Sequence, residues 1–75
     1  MGMRFSKLRG RIREKFGTQS AFAKALGVHT ATLSQKLRGV SDWTRPEIDK
    51  AVRLLDIPAE EIAAYFEMGP YFFTV

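Results

Sequence analysis

Apolar residues recur along this chain at helical spacing, in short groups cut apart by glycine and proline. Leu8, Ile12 and Phe16 form one face of a first helix, which Ser6 can cap, Gly10 weakens and Gly17 closes. Thr18 can cap a second helix with Phe22, Ala25 and Leu26 turned inward and Gly27 at its end. After Val28 a third helix is predicted from about His29 to Arg38, held by Leu33 and Leu37. Thr44-Arg45-Pro46-Glu47 reads as a capping box with proline in the first turn, opening a fourth helix whose stripe is Ile48, Val52 and Leu55. Pro58 starts a short fifth helix, with Glu60 and Glu61 near its positive end and Ile62, Tyr65 and Phe66 on its apolar side. No stretch alternates with period two over the first 66 residues. The pattern predicts an all-α fold, a compact bundle of about five short helices, in one domain spanning residues 1–75.

The segment from about 18 to 39 has the form of a helix-turn-helix. Ala23 stands where two helices approach closely and a small side chain is needed. Gly27 can take the left-handed conformation that the turn requires. Val28 plugs the space between the helices, and Leu33 anchors the second of them from beneath. Thr30, Ala31, Ser34 and Gln35 are then left pointing outward, as on a helix that enters the major groove of DNA.

The tail, from about residue 67 to 75, differs. Gly69-Pro70 breaks any helix after Met68, and Tyr71-Phe72-Phe73-Thr74-Val75 favours an extended strand. Five of the nine aromatic residues fall between positions 65 and 73, more than a thin core can absorb. Tyr71, Phe72 and Phe73 are therefore expected at a protein interface, with a cap over the chain's own core as the competing arrangement.

Charge sharpens this picture. The net formal charge is +4, but residues 1–41 carry nine basic side chains against Glu14 alone, and residues 42–75 carry three against seven acidic ones. A basic half joined to an acidic half suggests one face for a polyanion and another turned away from it. The chain has no cysteine, no apolar run of membrane-spanning length and no apolar signal-peptide core, so a cytoplasmic protein without membrane contact is expected. His29 is the sole histidine, so neither a metal nor a cofactor is expected. There is no phosphate-binding glycine loop and no nucleophile elbow, which argues against an enzyme.

At Gln19, Ala23, Gly27, Val28 and Leu33 the chain resembles the Cro/repressor-type helix-turn-helix family, with its lambda-repressor-like fold of about five helices, over roughly residues 5–66. The segments Lys15-Phe16-Gly17-Thr18-Gln19 and Thr32-Leu33-Ser34-Gln35-Lys36-Leu37, with Trp43 and Asp56-Ile57-Pro58-Ala59-Glu60-Glu61-Ile62, look like small regulators of temperate phages of low-GC Gram-positive bacteria. Some of these are Cro-like DNA binders. Others are antirepressors, or modulators of repression, which bind the phage repressor.

The resemblance implies a sequence-specific DNA-binding transcription regulator, acting as a homodimer on double-stranded DNA. The alternative it implies is an antirepressor that uses the same helices against a repressor protein. Base contacts would come from Thr30, Ala31, Ser34 and Gln35. Phosphate contacts would come from Gln19, Lys24, His29, Lys36 and Arg38, joined by Arg4 and Lys7 from the N-terminus. The family usually has an apolar residue at the position of Lys36 and a Ser or Thr cap at that of His29.

Overall fold

The structure is a computed structural model and describes residues 5–66. Five α-helices follow in order: α1 (Ser6–Phe16), α2 (Gln19–Leu26), α3 (Thr30–Leu37), α4 (Arg45–Leu55) and α5 (Ile62–Phe66), the last entered through a 3₁₀ turn at Ala59–Glu61. No strand occurs among the described residues. The tail from residue 67, with the interface expected at Tyr71, Phe72 and Phe73, lies outside the described residues, as does Arg4.

The helices close around one apolar core. Leu8 and Ile12 of α1, Phe22 of α2, Leu33 and Leu37 of α3, and Leu55 of α4 are fully buried. Phe16, Val28, Val52 and Ile62 pack against them while staying partly exposed. Val52 thus sits at the edge of the α4 stripe, and its expected central place is taken by Ala51, which is fully buried.

Local chemistry sets most of the boundaries. Thr18 Oγ1 accepts from the Ala21 N–H at 3.1 Å and caps α2. Gly27 ends α2 at φ 90°, ψ 25°, so the Gly27 and Val28 N–H groups both reach the Ala23 carbonyl. The Thr44–Glu47 capping box is complete: Glu47 N–H donates to Thr44 Oγ1 at 3.3 Å, and Thr44 N–H donates to Glu47 Oε1 at 2.9 Å.

The start of α1 departs from expectation. Ser6 is its first residue and not its cap; Phe5 occupies the cap position in a left-handed conformation, φ 56°, with no side-chain hydrogen bond. A left-handed non-glycine residue costs roughly 1–2 kcal/mol. Burial of the Phe5 ring, which meets Trp43 edge-on at 6.4 Å between centroids, offsets that cost.

The arginines of α1 also do more than face solvent. Arg9 Nη2 donates to the Leu37 carbonyl at 2.9 Å, at the end of α3. Arg11 Nε and Nη2 donate to the Leu55 and Asp56 carbonyls at 2.8 and 3.0 Å, at the end of α4. Helix ends leave carbonyls without intrahelical partners, and a guanidinium satisfies them while complementing the negative end of the dipole.

Gly10 has no comparable reason to be glycine. A Cβ built there meets nothing within 4 Å. Gly10→Ala should therefore stabilise the protein by about 0.5–1 kcal/mol, because glycine loses more backbone freedom in a helix interior. Thermal unfolding checks this: a midpoint that fails to rise would mean that the open position serves something other than the fold.

Candidate interaction surface on the second and third helices

Leu33, Lys36 and Leu37 turn one side of α3 into the core. The opposite side carries Ala31, Gln35 and Arg38, all exposed, with Thr30 exposed at its N-terminal end and Ser34 half-buried on its flank. Thr30 Oγ1 lies 3.4 Å from Ser20 Oγ, a long contact that links the first turns of α3 and α2. His29 sits at the cap position of α3, exposed and without a side-chain cap bond. Gln19 is half-buried in the first turn of α2, and Lys24 is exposed in its last turn. The outward face of α3 is thus small and uncharged over Thr30, Ala31, Ser34 and Gln35, with Lys24, His29 and Arg38 around it.

Lys36 corrects the expected phosphate set. Its side chain is 7% exposed, and its ammonium donates to Glu47 Oε1 at 2.8 Å and to the Asp42 carbonyl at 2.9 Å. It also lies 5.8 Å from the centre of the Trp43 ring. Lys36 turns inward because Glu47 of α4 presents a carboxylate to it, and Asp42 and Trp43 of the preceding loop a carbonyl and an aromatic face, so it is not placed to meet a phosphate. An apolar stem with a neutralised head fills a position suited to an apolar side chain. The carboxyl of Glu47 feels opposing influences. Burial pushes it up, but hydrogen bonds from Lys36 and Thr44 and the Lys36 charge outweigh this and hold it below the ordinary range.

The basic half is therefore less available than its charge suggests. Lys7 pairs with Glu61 at 3.5 Å and lies over the Tyr65 ring. Arg9 and Arg11 close helix ends, and Lys36 is buried. Arg13, Lys15, Lys24 and Arg38 remain exposed and make no ion pair among the described residues. Arg13 and Gln19 border an open groove of about 670 Å³ between α1 and the start of α2, with Ser6, Gly10 and Gly17 along its wall. Sequence periodicity does not reveal this groove, because it forms between two helices.

Among the described residues, no three of His, Cys, Asp and Glu come together in a way that would hold a metal ion. No helix among them is long and apolar enough to cross a membrane.

Residues 1–68 match the model of a family described as a protein of unknown function, DUF739. No curated protein matches the chain. Among solved structures, the chain is similar to the solution structure of the modulator of repression of the temperate bacteriophage TP901-1 from Lactococcus lactis. The two are 42% identical with a TM-score of 0.76, and the alignment covers 88% of this chain and 89% of that one.

Proposed function

The chain belongs to the DUF739 family, and from that premise we propose that it regulates a phage or prophage genetic switch by binding a repressor protein through the exposed face of α2 and α3. The observation that carries this reading is the 42% identity, over nearly the whole chain, to a phage modulator of repression. The surface agrees with it. The outward side of α3 is uncharged over Thr30, Ala31, Ser34 and Gln35, a patch that can pack against another protein's helix without stranding a charge. Several cations that would have served a polyanion are engaged within the fold.

A second reading, a Cro-like DNA binder acting as a homodimer, is favoured by one arrangement. Gln19 stands at the start of α2, and Lys24, His29 and Arg38 surround Thr30, Ala31, Ser34 and Gln35. These are the places where phosphate-positioning and base-reading side chains are wanted.

Titration against the repressor of the same switch and, separately, against duplex DNA from its control region distinguishes the two. Saturable binding to the repressor is expected. Ala31→Glu should weaken it at least about tenfold, the equivalent of about 1.4 kcal/mol, by placing an unpaired charge at the centre of the contact. Binding to DNA should be weak, indifferent to sequence and steeply salt-dependent. Sequence-selective DNA binding that loses about 1–3 kcal/mol in Gln35→Ala, with no repressor binding, would instead establish the second reading.

A further inference from the structure

The groove of about 670 Å³ between α1 and the start of α2 carries charge that the fold does not use. Arginine enters its wall twice, at Arg9 and Arg13, one turn apart on α1, and no acidic side chain among the described residues lines it. The two arginines differ. Arg9 Nη2 is engaged with the Leu37 carbonyl. Arg13 is exposed, and its guanidinium has no ion pair or hydrogen bond among the described residues. Glu14, its neighbour in sequence, pairs with Arg11 instead. From the α2 side, the half-buried Gln19 borders the same space.

Gly10 also lines the groove, yet nothing in the fold asks for glycine there. Its backbone lacks the positive φ that explains Gly17, at 82°, and a Cβ built on it meets nothing within 4 Å. Glycine weakens a helix interior relative to alanine, and it is characteristic of places where another molecule comes close to the backbone. We propose that this groove receives a carboxylate-bearing segment of the repressor, which passes over Gly10 while an aspartate or glutamate pairs with Arg13. This seat rests on the reading of the chain as a repressor binder, and it extends the α2–α3 contact, because Gln19 borders both. Charge complementarity selects an acidic occupant, and a guanidinium presents paired N–H donors that match a carboxylate. Two other occupants suit the groove less well. A duplex backbone is held by several cations along successive phosphates, whereas Arg13 is the single uncommitted guanidinium in this wall. A second copy carries exposed acidic residues at Asp56 and Glu60, but joining unlike surfaces builds rings or open chains rather than a discrete dimer.

Titration calorimetry of the full chain with the repressor of the same switch tests this seat. Arg13→Glu should raise the dissociation constant at least about tenfold, by setting a like charge against the partner's carboxylate. Gly10→Gln should raise it by a similar factor, through a side chain standing in the groove. Its thermal midpoint should hold or rise, because glutamine is the better helix former. Lys15→Glu is the control: it makes the same charge change at an exposed site on α1 that does not line the groove. At physiological ionic strength it should alter binding less than about twofold. Unchanged binding in Arg13→Glu or Gly10→Gln, with Ala31→Glu still disruptive, overturns the groove assignment and leaves the repressor reading standing. So does an equal loss in Lys15→Glu, which would mark a general effect of charge. Absence of repressor binding by the unsubstituted chain overturns both. A loss confined to duplex binding would give the groove to phosphates, and one confined to self-association in light scattering would give it to a second copy; either overturns the assignment.

Discussion

Glu47→Gln is expected to destabilise the protein by about 2–4 kcal/mol, and adding Lys36→Met to it is expected to recover most of that loss. The single substitution leaves a buried ammonium facing a neutral amide, with the Asp42 carbonyl as its remaining oxygen partner. Glu47 retains 25% side-chain exposure, which keeps the cost below that of a fully buried pair. In the double variant no charge is stranded, and methionine follows the path of the lysine stem past Trp43. The two effects should therefore be strongly non-additive in urea unfolding. Acid should act in the same direction. Because the Glu47 carboxyl is held below its ordinary range in the folded protein, its contribution is complete above the unfolded glutamate value of about 4.3. It is lost as pH falls from there through the lower folded-state value. Glu47→Gln should accordingly flatten the acid limb of the stability profile; an acid limb identical to that of the unsubstituted protein would show that other carboxylates govern it.

Phe22→Ala should be more damaging, costing about 3–5 kcal/mol. The ring is fully buried at the centre of α2, and it packs against Phe16 with centroids 5.3 Å apart. A chain of 75 residues has a total stability of about 4–11 kcal/mol at typical values per residue. The variant should therefore lose about a quarter or more of the protein's stability, with a large fall in its melting midpoint. Phe16 is only partly buried, and Phe16→Ala should cost roughly half as much. Circular dichroism melts and urea midpoints of the two variants check both the size and the order of the effects; equal losses would mean that the core is not centred on α2.

These predictions separate what local sequence dictates from what only three dimensions supply. Helix ends fixed by neighbours are readable: Thr18, Gly27 and the Thr44–Glu47 box act on groups within a turn of themselves. The outward placement of Ala31 and Gln35 is readable as well, because Leu33 and Leu37 determine which side of α3 faces in. Three features are not. Ser6 has the chemistry of a cap, yet the position goes to Phe5, whose ring is drawn in by Trp43 from a distant loop. Lys36 looks like a surface cation until the start of α4 brings Glu47 and the Asp42 carbonyl to it. Nothing in the sequence near Arg9 and Arg11 points to their acceptors, which belong to helices far along the chain. In each case a tertiary contact outweighs a local preference of about 1 kcal/mol.

The two α1 arginines also bear on how the molecule is made. Arg9 reaches a carbonyl 28 residues downstream, and Arg11 reaches carbonyls 44 and 45 downstream. Of the five helices, α1 is translated first, yet the helix ends it closes do not exist until α3 and α4 have been synthesised. At about 5–20 residues per second, covering that distance takes a few seconds. Throughout that interval Leu8 and Ile12 have no completed core to enter. A nascent chain halted before Asp56 would carry an exposed apolar face on α1 and would be open to proteases and chaperones. The contacts by which α1 closes α3 and α4 can therefore form only after most of the chain has been made.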